Sequence, residues 1–141
     1  MTEKLFDVTA LGEILIDFTE WGFSDDGARL FAQNPGGAVA NVAAAVARLG
    51  GRAAFVGKVG ADMHGAFLRE KLRQAGVDVS GMATDAERFT TLAFVKLAEN
   101  GERSFSFARH DAADTSLCWE EVPQTLLTDT RVLSVGTLGM T

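Results

Sequence analysis

This chain is poor in the side chains that build metal sites and disulfides. Cys118 is its only cysteine, which excludes an internal disulfide and a multi-thiolate zinc site. His64 and His110 are its only histidines, which argues against a histidine-based metal site. Positive charge is also short: 13 Lys and Arg stand against 19 Asp and Glu, a net charge of −6. No basic patch of the kind that nucleic acid or an anionic membrane needs is expected, so neither is read as a partner. The longest strictly apolar run, Val42–Ala47, falls far below the roughly 20 residues that span a bilayer. Glu3 and Asp7 interrupt the N-terminus where a secretory signal would keep an apolar core. Together with the lone thiol, this makes a cytoplasmic location the expectation. What is present is ordinary for one globular domain: 47% hydrophobic and 23% charged residues in a chain of 141. A chain of that size buries about two-thirds of its unfolded surface and needs no staple.

The local patterns alternate. Lys4–Gly12 is a near-continuous apolar run that stops at glycine and reads as a buried strand. Glu13–Trp21 and Ala28–Gln33 flank Asp26-Gly27 and form a first hairpin. Pro35-Gly36-Gly37 is expected to break that strand and open a helix over 38–49, ended by Gly50-Gly51. Because that helix is apolar on nearly every face, it is expected to be buried all round. A strand over Arg52–Gly57 and a helix over Met63–Ala75 follow. Asn100-Gly101, between Phe89–Ala98 and Arg103–Phe107, marks a second hairpin, with Phe105 and Phe107 on its buried face or, if exposed, at a subunit contact. Trp119–Leu127 reads as a short helix and Arg131–Gly136 as a strand. Strands alternating with helices predict a parallel sheet with helical cover, from which the two hairpins must depart. Three parallel strands make a poor sheet, so the chain reads as part of a longer domain.

The two standard nucleotide loops fail on spacing. Gly57-Lys58 lacks a glycine at 52 and a hydroxyl residue at 59, and Gly57, Gly60 and Gly65 do not make the dinucleotide fingerprint. Gly36 and Gly37 are better placed, because they let a ligand approach the free N–H groups of a helix N-terminus. Asn41 is the only polar side chain between Ala38 and Ala47. Its carboxamide pairs either with a hydroxylated ligand or with a neighbouring loop, and spacing leaves both readings open. Asp17 is a strand-end carboxylate able to accept from two sugar hydroxyls; the other reading is a solvent-facing residue on an alternating strand. Glu13, beside Gly12, competes for the same role. Arg109, in Arg109-His110-Asp111, either clamps a carboxylate or hydroxyl pair or belongs to a solvated loop. His110 has no nameable partner, and Cys118 reads as packing rather than as a nucleophile.

These residues together resemble a known family. Leu11-Gly12-Glu13-Ile14-Leu15-Ile16-Asp17 resembles the opening of the fructokinase-like members of the ribokinase-like (PfkB-type) sugar kinases. Gly36-Gly37-Ala38-Val39-Ala40-Asn41-Val42-Ala43 is similar to that family's first signature, with later glycines at Gly50 and Gly60. Asp62 and Gly65 fit the following Gly-x-Asp-x-x-Gly-like element, and Arg109 with Ala113-Asp114 is similar to the segment after the lid. Val39 departs from the family's usual proline or glycine. The family's second signature, Asp-Thr-x-Gly-Ala-Gly-Asp, with its catalytic base and anion hole, has no counterpart in 1–141.

The resemblance implies an α/β fold: the N-terminal part of a three-layer α/β/α domain over 1–141, with lid segments at about 13–33 and 89–107. It implies that Asp17, Gly36, Gly37, Asn41 and Arg109 bind a small-molecule sugar, with no catalytic residue and no metal ligand in this chain. ATP and Mg2+ are implied as cofactors, held mainly by elements this chain lacks. A homodimer through the lid is the implied partner arrangement. The function implied is the sugar-binding half of an ATP-dependent kinase phosphorylating a sugar hydroxymethyl group, inactive as this fragment alone. The rivals are 2-keto-3-deoxygluconate kinase, disfavoured by the absence of tyrosine before Arg109, and a non-catalytic sugar-binding or dimerisation module.

Overall fold

The computed structural model describes residues 3–98 and 100–138. Phe6–Leu11 (β1), Ala53–Gly60 (β4), Asp78–Asp85 (β5) and Thr130–Val135 (β8) form one sheet in the order β5-β4-β1-β8, and every pair in it is parallel. Leu15–Phe23 (β2), Arg29–Gly36 (β3), Leu92–Leu97 (β6) and Arg103–Ala108 (β7) form a second sheet in the order β3-β2-β6-β7. The two hairpins thus share one sheet, joined by a parallel ladder that sets Asp17 opposite Ala93 and Phe18 opposite Phe94. Asn100-Gly101 turns the second hairpin, and Glu99 lies outside the described residues.

Helices Ala38–Arg48 (α1) and Met63–Gln74 (α2) cover one face of the parallel sheet. Every residue of β4 is buried, and its alternation sorts them between layers. Ala53 and Phe55 join Ile14, Ile16, Ala43, Leu68 and Leu72 in the larger core, whereas Ala54 and Val56 meet Phe6, Val122 and Leu126 on the other side. Gln124–Thr128 (α3) supplies that second layer. The stretch read as one helix over Trp119–Leu127 is divided, because Pro123 has no N–H to continue it. A 3-10 turn spans Trp119–Glu121, and Pro123 then caps α3.

β5 was absent from the sequence-based expectation. Asp78, Ser80 and Gly81 are of types that favour turns, yet Gly81 is required where the strand crosses the core. A Cβ there would stand 2.8 Å from Leu126, Phe55 O and Val56. Pro35 likewise does not break the chain, which stays extended to Gly36, because β3 is an edge strand whose ladder loses nothing to a missing N–H. α1 is not buried all round. Val39, Ala40 and Ala43 face the core while Asn41 and Val42 are exposed, and alanine on the outer face hides that asymmetry in the sequence. Phe105 and Phe107 are not buried either. They are 52% and 54% exposed and stack on each other at 6.0 Å between ring centroids.

Candidate functional site

The site forms where the second sheet meets the start of α1. Gly37 caps α1 at φ 104°, a conformation that favours glycine, and a Cβ there would stand 2.6 Å from Glu13 O. One residue earlier, a Cβ on Gly36 would collide with the Asp17 carboxylate, so that glycine lets the acid lie against the turn. Asp17 is half-buried on β2, and burial pushes its carboxyl above the usual range. Asn34 stands opposite it across the β2–β3 ladder. Asp17, Thr19, Asn34, Val95, Arg103 and Phe105 line a concavity of about 300 Å3 on one face of the second sheet. Carboxylate, carboxamide, hydroxyl, guanidinium and aromatic ring converge there, a set suited to a small polyhydroxylated molecule.

Asn41 lines a smaller recess of about 90 Å3 with Pro35, Gly36 and Lys71. Gly36 is the common wall, touching Asp17 on one side and this recess on the other. The structure therefore brings Asp17, Gly36, Gly37 and Asn41 to one junction. Arg109 lines neither hollow. Its Nε donates to Asp114 Oδ2 at 2.9 Å and its Nη2 to Leu138 O at 3.0 Å, while Thr91 Oγ1 donates to Asp114 Oδ1 at 2.6 Å. The guanidinium thus ties the exit of the β6–β7 hairpin, through Asp114, to its entrance at Thr91.

Three residues that pattern alone did not single out complete the Asp17 hollow. Thr19 shares the face of Asp17 by strand alternation and Asn34 faces it across the β2–β3 hairpin, but Arg103 reaches the hollow only because β6 pairs with β2. Asp62 caps α2, accepting from His64 N and Gly65 N, and also from the Thr90 N–H and hydroxyl just before β6. Burial works to raise its carboxyl, but the donors from Thr90, Gly65 and His64 outweigh it and hold the group below the usual range. His64 wedges between the layers, hydrogen-bonded to Gln33 at 3.0 Å and edge-on to Phe18 and Phe89. Lys58, in a buried strand, reaches Glu121 at 2.8 Å and Asp85 at 3.3 Å. Asp85 is held far below the carboxylate range, first by the Arg88 and Glu87 N–H groups and then by the Ser116 hydroxyl. Cys118, expected as packing, is exposed; its hydrogen bond to Glu121 raises the thiol away from the reactive thiolate.

Residues 6–140 match the model of the pfkB family carbohydrate kinases. The chain is 47% identical to fructokinase-1 of Oryza sativa subsp. japonica, over 94% of this chain and 42% of that protein. It is 45% identical to probable fructokinase-7 of Arabidopsis thaliana, over 94% of this chain and 39% of that protein. The crystal structure of fructokinase from Xylella fastidiosa superposes with a TM-score of 0.88 at 41% identity, covering 96% of this chain and 44% of that one. That enzyme has also been solved with bound ATP. The chain thus spans about two-fifths of the length of the relatives it matches. With a matched family model over nearly its whole length, and a mixed α/β fold shared with those kinases, the chain belongs to the pfkB family of carbohydrate kinases.

Proposed function

We propose that this chain is the sugar-recognition part of an ATP-dependent, fructokinase-like kinase that phosphorylates a hydroxymethyl group of a neutral sugar. The observation that carries the reading is the junction itself, where Asp17 lies against Gly36 at the mouth of a small polar hollow one helical turn from Asn41. An ionised carboxylate accepts from two hydroxyls at once, and the carboxamide both donates and accepts. The second sheet then acts as a lid that covers the sugar and keeps water from the reacting hydroxyl. Arg109 contributes by fixing the lid's exit, and contacts sugar only through a group its two bonds leave free. The paired, exposed Phe105 and Phe107 are the surface on which a second lid would dock in a homodimer.

ATP and Mg2+ belong to the same reading, held mainly by elements outside this chain. No group of three or more metal-ligating side chains occurs among the described residues, and the glycine spacing fits neither standard phosphate loop. No step is therefore routed through them. Calorimetric titration with fructose tests the proposal. The chain binds it, and Asp17→Ala weakens binding by roughly five- to 150-fold, since leaving a hydroxyl unpaired costs about 1–3 kcal/mol. Equal affinity in a folded Asp17→Ala protein refutes it. Preference for 2-keto-3-deoxygluconate over fructose selects the acid-sugar rival.

A further inference from the structure

Glu13 is 4% exposed, yet its carboxylate is only half used. Oε1 accepts the Ala38 N–H at 3.2 Å, and Oε2 is buried with no hydrogen-bond partner among the described residues. A buried carboxylate with an empty oxygen does not favour stability, and an apolar side chain of similar volume often serves that purpose better. Its use must lie in what it does to its neighbours. α1 has no other means of capping: Gly37 has no side chain, and the first turn contains no acidic residue. The acceptor for the first turn of this helix is therefore brought from the segment just after β1.

The seat around Glu13 is made of backbone on several sides. A Cβ on Gly37 would stand 2.6 Å from Glu13 O, one on Gly136 2.6 Å from Glu13 Oε2, and one on Gly12 2.8 Å from Val39 Cγ2. These glycines let the end of β1, the start of α1 and the end of β8 pack closely together, and Gly136 is the one that faces the Glu13 carboxylate. The stretch beyond Gly136 is in turn held by Arg109 through Leu138 O.

Building on the sugar-kinase reading, we infer that Glu13 is a positioning residue for the sugar-binding turn: wedged between Ala38 and Gly136, it fixes Gly36-Gly37 against Asp17. Binding geometry of this kind has to be held to about half an ångström, which a turn of two glycines cannot do unaided. Glu13 supplies the missing rigidity without touching the sugar.

Fructose titrations of the whole chain, run beside thermal unfolding, test this with Glu13→Ala, Glu13→Gln, Gly136→Ala and the double Glu13→Ala/Gly136→Ala. Glu13→Ala weakens fructose binding about tenfold, and Glu13→Gln restores it to within twofold, because its carbonyl accepts the Ala38 N–H again. Gly136→Ala also weakens binding by crowding Oε2, and the double variant binds no worse than Glu13→Ala, the two changes sharing one cause. A folded Glu13→Ala protein that binds within twofold of wild type overturns the inference. So does a Glu13→Gln protein no better than Glu13→Ala, or full additivity in the double variant. If Glu13→Ala does not fold, Gly136→Ala decides alone: a folded Gly136→Ala protein that binds fructose within twofold of wild type overturns the inference. A wild-type chain that takes up no fructose overturns the sugar reading itself and this inference with it. Wild-type binding lost in Asp17→Ala leaves only the role of Glu13 at stake.

Discussion

Removing the Asp62 side chain will show how much of this fold depends on one carboxylate. Oδ1 accepts His64 N at 3.0 Å, Gly65 N at 2.8 Å and Thr90 Oγ1 at 2.9 Å, while Oδ2 accepts Thr90 N at 2.8 Å. Asp62→Ala loses a helix cap, at about 1 kcal/mol. It also leaves the N–H of Thr90, a buried residue, without its partner, which costs about 1–3 kcal/mol more. The expected loss is about 2–4 kcal/mol, or a fall of about 1–2 M in the urea midpoint for a domain of this size. Asp62→Asn separates the two parts. With its carbonyl in the Oδ1 position it keeps the cap but sets an N–H against the Thr90 N–H, so its loss is the smaller. Titration gives an independent reading. The folded carboxyl lies below its unfolded value, so its contribution is full above about pH 4 and fades as the pH falls toward the folded value. Asp62→Ala therefore has a flatter acid limb in a plot of unfolding free energy against pH. The measurement is equilibrium urea unfolding followed by far-UV circular dichroism from pH 3 to 7. A change below about 0.5 kcal/mol in Asp62→Ala, or an unchanged acid limb, would refute the reasoning, since ordinary surface substitutions do no more.

Asp85 is also held below its unfolded value, by N–H groups of Arg88 and Glu87. Its stabilising contribution is likewise present above about pH 4 and lost as the pH falls through the folded value, so Asp85→Asn flattens the same limb, which acid titration of the variant checks. Replacing Phe105 and Phe107 together with serine lowers the unfolding free energy by about 1–3 kcal/mol, because each ring still buries nearly half its surface and the stacked pair is lost. The same variant abolishes self-association in sedimentation experiments if the lid is the dimer contact; unchanged association excludes that surface.

Much of the framework was legible in the residues. Asn100-Gly101 marked a hairpin by its tolerance of positive φ, and Gly101 sits at φ 82°. The apolar run at β1 and the glycine after α1 marked their elements because both signals are local. The glycine pair at 36–37 and the acid at 17 were likewise visible, one as an opening for backbone approach and the other as a charge inside an apolar strand. What only the tertiary structure decided depends on who lies opposite whom. Asp78–Asp85 is a strand because β4 offers it a parallel ladder, and its turn-like residues are overridden by that pairing. Asn41 is exposed because the core lies on one side of a helix whose alanines look the same on both. Arg109 is spent on Asp114 and Leu138, and Glu13 is buried against Gly136, through contacts between segments distant in the chain. Periodicity reports which face of an element is apolar; only packing determines what that face, and each charge beside it, finally touches.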